Sequence, residues 1–325
     1  MSNPVVVVTD YVFPDLEPSK KVLARINAEI RVAASRETAD VLEVARDADG
    51  IITCYADMNA EVIGQLTNCK IITRTGTGYN NIDVTAATEA GILVANVRAY
   101  CDDEVSDHAM ALLLSIVRKI SYLNNAVQGG TWDEGMAKPL HRVRGNVMGL
   151  VGFGNIPRQV AAKAQGFGID VQAFDPYCDA ATFDELGVRS VSLDDLIASS
   201  DYISVHAPLT DETHHMINAD SLGRMKKGAL IINTARGELV DVEALADALD
   251  SGHVAGAGLD VLPDEPPAAD LRLLGRDNVL LTPHVGFYSE NSVHDLQAGA
   301  AEQVALVLSG QPPQFPVNPE LLDRA

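Results

Sequence analysis

Short runs of valine, isoleucine and leucine alternate with longer helical patterns along the whole chain, and this alternation restricts the fold more than any other feature. A strand, a helix and a second strand in succession are typical of a parallel sheet with helices on both faces. At 325 residues the chain is long enough for about two domains. The sequence therefore predicts an α/β protein with two doubly wound parallel sheets.

The first hundred residues contain the strand patterns of one small α/β domain. A long helical pattern follows over Asp102–Val127, with acidic residues in its first turn and an apolar stripe behind them, and we expect one helix that joins two domains. The predicted strands of the first domain are Val5–Thr9, Ile30–Ala33, Gly50–Thr53, Lys70–Arg74 and Ile92–Ala95.

A second set of strands begins after a turn-rich stretch at 129–145. A last helix is predicted near Ser289–Ser309, and the tail Gln311–Ala325 contains four prolines, so we expect the tail to be an extended strap. The predicted strands of this second set are Val147–Gly152, Asp170–Phe174, Tyr202–Val205, Ala229–Asn233, Val254–Leu259 and Val279–Leu281.

The charge of the chain disfavours nucleic acid and anionic membranes as partners. Its 24 basic and 45 acidic side chains give a net charge of −21, which repels nucleic acid and anionic membrane surfaces. The N-terminal run of four valines is too short for a signal peptide, and no stretch approaches the roughly 18 apolar residues of a membrane span. The four cysteines are scattered without metal-binding spacing. We expect a cytoplasmic protein with free thiols and no metal site.

A glycine-rich turn follows the strand at 147–151 and leads into a helical pattern over Arg158–Phe167. Gly152 permits the tight turn, and Gly154 lets the backbone approach a pyrophosphate at the start of the helix. Asp175 lies 23 positions after Gly152, where a carboxylate accepts hydrogen bonds from a ribose diol and disfavours a 2′-phosphate. Pro157 replaces the third glycine of the motif. The pattern predicts a dinucleotide site that prefers NAD to NADP.

Three predicted strands of the second sheet end in unusual polar residues. Arg236 follows the strand at 229–233, Glu265 follows the strand at 254–259, and His284 follows the strand at 279–281. In open α/β sheets the ligand crevice lies at the carboxyl ends of the strands. An arginine, a carboxylate and a histidine at this edge fit a redox site for a keto acid. Taken alone, each could instead be structural, as in a salt bridge between loops.

The sequence resembles the D-isomer-specific 2-hydroxyacid dehydrogenases, a family that includes phosphoglycerate dehydrogenase, glyoxylate/hydroxypyruvate reductase and the C-terminal-binding-protein corepressors. The likeness covers nearly the whole chain and rests on six segments. They are the three strand ends that carry Arg236, Glu265 and His284, together with RTGTGYNNID at 74–83, DPY at 175–177 and HAPLT at 206–210.

The resemblance implies a role for each of the three strand-end residues. His284 exchanges a proton with the substrate oxygen, Glu265 holds the tautomer of His284 and favours its protonated form, and Arg236 pairs with the substrate carboxylate. It also implies an NAD cofactor. The cofactor contacts expected from the resemblance and the glycine-rich turn are Gly152, Gly154, Asn155, Ile156, Asp175, His206, Ala207, Pro208, Thr234, Ala235, Asp260 and Gly286.

The resemblance divides the chain into a flavodoxin-like substrate domain, formed by 1–100 and 288–325, and a Rossmann domain at 101–287. The loop formed by Gly76, Thr77 and Gly78 looks like a backbone nest for the substrate carboxylate; its alternative is a tight turn. Catalysis is expected in the cleft between the domains, with Phe287 and Tyr100 as an aromatic wall beside the substrate.

Two residues have open interpretations. Arg98 stands where relatives usually have proline, and it could bind a second anionic group or form a surface ion pair. His108, on the long helix, could face the cleft or merely pack, and we expect packing.

Two functions remain possible for such a chain. The first is an oxidoreductase that moves a hydride between NAD and a small D-2-hydroxy acid, and the second is an NAD(H)-sensing scaffold like the corepressors. Glu265 disfavours a formate dehydrogenase, which has glutamine there, and the length of 325 residues leaves no long partner-binding tail. A homodimer is expected from the family, with contacts around 120–144.

Overall fold

The computed structural model describes residues 3–324 and divides into two compact units. Unit 1 comprises Met1–Cys101 and Ser289–Ala325, and unit 2 comprises Asp102–Tyr288. The boundaries predicted from the sequence differ from these by one residue at each junction.

Unit 1 contains, within the described residues, a five-stranded parallel sheet in the order β2-β1-β3-β4-β5. Its central strands are almost wholly apolar because helices cover both faces of a parallel sheet. The elements up to the end of this sheet are β1 (Val5–Val8), α1 (Glu17–Leu23), β2 (Glu29–Val32), α2 (Thr38–Ala45), β3 (Gly50–Thr53), α3 (Ala60–Ile63), β4 (Ile71–Arg74), α4 (Val84–Glu89) and β5 (Leu93–Ala95).

Unit 2 begins with two helices, α5 (Asp102–Val117) and α6 (Ile120–Gln128), where the sequence predicts one. The single-helix prediction is wrong because Lys119 adopts a left-handed conformation, with φ of 54°, and so ends the first helix. The apolar stripe continues past this point, and no glycine or proline marks the break in the sequence.

The sheet of unit 2 has seven strands in the described residues, all parallel, in the order β12-β11-β10-β9-β6-β7-β8. Six of its strands lie where the sequence predicts them, and the two-residue β8 was not predicted. The elements are β6 (Val147–Val151), α7 (Asn155–Gly166), β7 (Asp170–Phe174), α8 (Ala180–Glu185), β8 (Arg189–Ser190), α9 (Leu193–Ser199), β9 (Tyr202–Val205), α10 (Ala219–Arg224), β10 (Ala229–Asn233), α11 (Val242–Asp250), β11 (Val254–Leu259) and β12 (Val279–Leu281).

The last helix, α12 (Glu290–Leu308), returns to unit 1 and packs against α1, β3 and β4. Beyond it the chain runs along β5, where the N–H of Val317 donates to the carbonyl oxygen of Val94 at 2.8 Å. The buried side chain of Asn318 accepts from the Val94 N–H and donates to the carbonyl of Ile92. The tail is therefore an extended strap only up to this point, because residues Pro319–Arg324 form a 3₁₀ helix.

Candidate active site

The carboxyl ends of β10, β11 and β12 lie side by side, because β11 pairs with the other two strands. Asn233 at the end of β10 is in register with Leu259 of β11, and Leu259 is in register with Leu281 of β12. The segments that leave these strands carry Arg236, Glu265 and His284. All three segments therefore leave the sheet at the same edge.

His284 and Glu265 form the central pair of the site. Nδ1 of His284 lies 2.7 Å from Oε2 of Glu265, and Oε1 of Glu265 accepts a hydrogen bond from the Leu262 N–H at 3.1 Å. Partial burial alone would raise the pKa of Glu265, but the hydrogen bond and charge of His284, the Leu262 N–H and the Arg236 guanidinium together lower it. A charged carboxylate only accepts hydrogen bonds, so the proton between the two groups is on Nδ1 of His284.

The backbone of His284 is in the left-handed region, with φ of 52°. Its N–H points back to the sheet and donates to the carbonyl oxygen of Asp260 at 2.8 Å and to that of Thr282 at 3.0 Å. Nε2 of His284 has no hydrogen-bond partner among the residues that the structure describes. The ring is thus fixed at Nδ1 and available at Nε2.

Close backbone packing brings Arg236 toward this pair. A Cβ atom added to Gly237 would lie 2.0 Å from the carbonyl carbon of Leu262, so only glycine lets the Arg236 segment approach the Leu262 segment. The buried Asn233 side chain donates to the Arg236 carbonyl at 2.8 Å and accepts from the Ala235 N–H at 3.0 Å. These two hydrogen bonds of Asn233 were not predicted from the sequence, although a polar residue at the end of an apolar strand was a signal for them.

A second network, built on Asp260, supports the His284 segment. Asp260 is 3% exposed, and its carboxylate accepts hydrogen bonds from the Thr282 hydroxyl (2.6 Å) and from the N–H groups of Val285 (2.9 Å) and Gly286 (2.8 Å). Burial alone would raise the pKa of Asp260, but these bonds and one from His108 lower it to about 2. Asp260 therefore carries its charge at neutral pH and holds the chain just after His284.

His108 belongs to this network, which corrects the expectation that it only packs. Its Nε2 lies 2.8 Å from the Thr282 hydroxyl oxygen and 3.4 Å from Oδ1 of Asp260. The Thr282 hydroxyl gives its one proton to the charged Asp260, so Nε2 of His108 must be a donor. Helix α5 brings the histidine here because it packs on β10, β11 and β12.

The glycine-rich turn has the properties of a phosphate site. Gly152 adopts φ of 94°, and a Cβ atom added to Gly154 would meet no atom within 4 Å. Helix α7 starts at Asn155, three residues earlier than predicted, and the N–H groups of Gly154, Asn155 and Ile156 donate to no other group in the described part of the chain. Free N–H groups at a helix start and open space beside them fit a pyrophosphate.

Asp175 lies beside this turn, directly after β7. Its Oδ2 accepts from the Phe153 N–H at 2.8 Å and its Oδ1 accepts from the Tyr177 N–H at 2.9 Å. Each oxygen keeps a lone pair for a further donor. The carboxylate is thus held in place next to the turn by two backbone N–H groups.

The other expected cofactor residues lie along the same edge of the unit 2 sheet. His206, Ala207 and Pro208 follow β9, and burial lowers the pKa of His206 to about 3, so its ring is neutral at pH 7 and bonded to the Ser204 hydroxyl at 2.8 Å. Thr234 follows β10, and its buried hydroxyl has no hydrogen-bond partner in the described part of the chain. Together with the open space at Gly154, this orphaned hydroxyl fits a bound dinucleotide.

Unit 1 has a loop after β4 in which two backbone N–H groups have no partner among the described residues. The carbonyl oxygens of Gly76 and Thr77 accept from the Val97 N–H and from Nδ2 of Asn96, whereas the N–H groups of Thr77 and Gly78 have no partner among the described residues. We call this loop, Gly76–Thr77–Gly78, the nest. A backbone loop with unengaged N–H groups and occupied carbonyl oxygens has the polarity that suits an anion.

Sequence reasoning assigned no role to Arg74, which covers the nest. A Cβ atom added to Gly76 would lie 1.5 Å from Nη1 of Arg74, so the guanidinium occupies the space that glycine leaves. Its carbon Cζ lies 5.8 Å from the centroid of the Tyr55 ring, and its buried Nε lacks a hydrogen-bond partner in the described residues. Gly76, two residues after Arg74, leaves the space for this approach, but the contact itself depends on the direction of the Arg74 side chain.

The two residues of the proposed aromatic wall, Phe287 and Tyr100, belong to different units. Phe287 packs its ring edge to face with His284, with centroids 6.4 Å apart, and belongs to unit 2. Tyr100 is half-buried in unit 1.

Arg98, also in unit 1, makes no ion pair with any side chain that the structure describes, so the ion-pair interpretation of Arg98 is wrong for this part of the chain.

Residues 3–324 contain no group of three or more histidine, cysteine, aspartate or glutamate side chains arranged to hold a metal ion. No helix in the same residues is both long enough and apolar enough to cross a bilayer.

A comparison with known families and proteins identifies the class to which this fold and site belong. Residues 110–286 match the family described as "D-isomer specific 2-hydroxyacid dehydrogenase, NAD binding domain". Glyoxylate reductase from Korarchaeum cryptofilum is 36% identical over 286 residues, which are 87% of this chain and 86% of that protein. The chain belongs to the D-isomer-specific 2-hydroxyacid dehydrogenase family, and its cofactor is NAD.

Other relatives agree with this assignment. D-3-phosphoglycerate dehydrogenase from Mycobacterium bovis is 37% identical over 312 residues, which are 96% of this chain but only 58% of that protein. The chain thus spans little more than half the length of such relatives. The crystal structure of D-lactate dehydrogenase from Aquifex aeolicus with NAD and lactic acid has a TM-score of 0.86 at 29% identity, covering 94% of this chain and 96% of that one.

Proposed function

We propose that this protein is an NAD-dependent dehydrogenase that interconverts a small D-2-hydroxy acid and its 2-keto acid. The observation that carries the proposal is the His284–Glu265 pair, with Nδ1 bound to a carboxylate at 2.7 Å and Nε2 unengaged among the described residues. Such a ring can exchange a proton with a substrate oxygen through Nε2 while its orientation stays fixed.

The proton inventory of the pair supports both directions of the reaction. When the ring is protonated, Nε2–H can give a proton to the oxygen of a keto group that is being reduced. When the ring is neutral, the charged Glu265 keeps the remaining proton on Nδ1, so Nε2 has a lone pair that can take the proton of a hydroxyl group. Glu265 therefore acts as a positioning residue for His284.

NAD, when bound, supplies or accepts the hydride at the substrate carbon. The residues that would hold it are the free N–H groups at the start of α7, Asp175 at the ribose, and the orphaned hydroxyl of Thr234. The remaining contacts of the proposed cofactor site are His206, Ala207, Pro208, Ala235, Asp260 and Gly286. A carboxylate at Asp175 supports NAD rather than NADP, whose 2′-phosphate it would repel.

The substrate carboxylate has two proposed binding groups. Arg236 is suited to it because a planar guanidinium binds a carboxylate with two parallel hydrogen bonds, and because its charge also favours a polarised keto oxygen. The nest of unit 1, with the guanidinium of Arg74 above it, is the second. Phe287 and Tyr100 are proposed to contact the substrate side chain.

The proposed activity is tested by following NADH absorbance with a panel of keto acids. The panel contains glyoxylate, hydroxypyruvate, pyruvate, phosphohydroxypyruvate and bulkier branched or aromatic acids. We expect NADH to be consumed with at least one of them, and the reverse reaction to accept the D but not the L hydroxy acid. A protein that binds NADH but turns over none of the panel would contradict the proposal.

We also propose that the protein is a homodimer that uses the region 120–144. Ile120, Val127 and Trp132 are 56%, 45% and 89% exposed, an unusual density of bare apolar side chains. A cavity of about 730 Å³ is lined in part by Tyr122 and Met136 of the same region. Light scattering should give twice 34.6 kDa for the natural chain and one chain for a Trp132→Glu variant.

The remaining proposals concern location and other partners. All four cysteines are free thiols, which supports a reducing compartment, and the cytoplasm is the proposed location. The net charge of −21 supports the proposal that the protein does not bind nucleic acid directly.

A further inference from the structure

The side chain of Arg98 is anchored at one end and unengaged at the other. Its Nε donates to Oδ1 of Asn96 at 3.3 Å, and its Cζ lies 6.0 Å from the centroid of the Phe315 ring. In the described part of the chain, Nη1 and Nη2 donate no hydrogen bond and form no ion pair. A guanidinium held by its Nε and by one face presents its remaining N–H groups as a fork that fits an oxyanion.

Asn96 connects this guanidinium to the nest. Its side chain is 1% exposed and donates from Nδ2 to the carbonyl oxygen of Thr77 at 2.7 Å while its Oδ1 accepts from Arg98. The Arg98 side chain therefore lies one amide group away from the loop that is proposed to bind the substrate carboxylate. Both belong to unit 1, at the carboxyl ends of β4 and β5.

Two guanidinium groups near the nest lack a counter-ion within a strongly acidic chain. The chain has 45 acidic side chains; of the other arginines of unit 1, Arg25 and Arg31 form ion pairs, and the exposed Arg36 and Arg46 form none among the described residues. Neither Arg98 nor Arg74 has a carboxylate partner among the described side chains. The edge of unit 1 around the nest thus keeps two guanidinium groups without an internal counter-ion, which favours an anion from solution.

We propose that Arg98 is the specificity-determining residue of the substrate site and that it binds a second oxyanion on the substrate side chain. The preferred substrate class is then a 2-keto or 2-hydroxy acid with two oxyanions, one in the nest and the other at Arg98. The second oxyanion is a carboxylate or a phosphate ester, which a guanidinium fork binds in the same way. The inference rests on the proposed dehydrogenase function and adds to it the class of substrate.

The experiment measures kcat/KM for NADH-dependent reduction with three acids. Hydroxypyruvate has one oxyanion, oxaloacetate has a second carboxylate, and phosphohydroxypyruvate has a phosphate ester. The full-length natural chain is compared with Arg98→Gln, Arg98→Lys and, as a control, Arg46→Gln. Arg46 is an exposed arginine of unit 1 that follows α2, so its replacement removes the same charge away from the nest.

The inference predicts a selective loss in Arg98→Gln. The decrease in kcat/KM for the preferred acid with two oxyanions should exceed the decrease for hydroxypyruvate by about 10- to 100-fold, which is the value of a hydrogen bond to a charged group. Arg98→Lys should recover part of this ratio, because lysine keeps the charge and loses the fork. Arg46→Gln should leave the ratio unchanged. Of oxaloacetate and phosphohydroxypyruvate, the acid that shows the larger effect identifies the second oxyanion as carboxylate or phosphate.

Two results would overturn the inference, and they differ from a failure of the proposed function. Equal losses on all three acids in Arg98→Gln would mean that Arg98 only supports the fold of the loop. Turnover of hydroxypyruvate with no selective loss would refute the role of Arg98 while leaving the dehydrogenase activity established. If no 2-keto acid is reduced by the natural chain, the proposed function and this inference both fail.

Discussion

Replacing Glu265 by glutamine removes the negative charge beside His284 and keeps the size of the side chain. The carboxylate now accepts hydrogen bonds from two donors, Nδ1–H of His284 at 2.7 Å and the Leu262 N–H at 3.1 Å. An amide has one accepting oxygen and one donating NH₂ group, so it can satisfy only one of them and opposes the other donor. Glu265→Gln should therefore slow keto-acid reduction by two separate effects.

The size of the loss follows from the exposure of the pair. Charges about 4 Å apart interact by about 4 kcal/mol at an effective dielectric constant of 20 and by about 1 kcal/mol in water. The side chains of His284 and Glu265 are 33% and 39% exposed, so we take about 1–2 kcal/mol for the lost charge. The unmatched donor adds about 1 kcal/mol. We expect kcat/KM for reduction at pH 7 to fall about 30- to 150-fold.

The assay is NADH absorbance at several pH values, with Glu212→Gln as the control. Glu212 is exposed in unit 2 and lies in a turn, so its replacement removes the same charge away from His284. An unchanged rate in Glu265→Gln, or an equal loss in Glu212→Gln, would refute this account of the pair.

Three further predictions test other parts of the structure. Gly154→Val should raise the Kd for NADH at least about tenfold at an unchanged Tm, because its side chain enters the open space beside α7; fluorescence titration measures this. His206 has a pKa of about 3 in the folded chain and about 6.5 in the unfolded chain, so the unfolded chain takes up the proton first as the pH falls. The free energy of unfolding, measured with urea, should therefore decrease by about 2 kcal/mol from pH 7 to pH 5, and this decrease should be absent in His206→Asn. His108→Leu should lower kcat about 3- to 10-fold by removing a donor from the Thr282–Asp260 network, and His108→Gln should restore part of it.

The sequence predicts the strands of this protein well, because buried parallel strands are continuous apolar runs that end in polar residues. The strand Ala229–Asn233 and its neighbours at 254–259 and 279–281 have the predicted bounds, and their ends carry the three proposed catalytic residues. The break in the helix at Lys119 was not predictable, because a lysine in a left-handed conformation leaves no mark in the sequence.

The supporting contacts of the site depend on tertiary packing and were missed for that reason. His108 lies 174 positions before its partner Thr282, and only the packing of α5 on the sheet joins them. The position of Arg74 above Gly76 is a local contact, but it depends on the exact direction of a long side chain. The strand and turn patterns of a sequence predict which residues lie at the carboxyl edge of a sheet. Which of those side chains contact each other depends on the three-dimensional structure.

The measurement that tests the central claim most directly is hydride transfer in a single turnover of His284→Ala. The enzyme is saturated with NADH and mixed rapidly with the best keto acid from the panel, and NADH absorbance is followed. We predict that the transfer rate falls about 10²- to 10⁴-fold relative to the natural chain, with the same affinity for NADH. Transfer at the natural rate across the pH range would contradict the role of the His284–Glu265 pair.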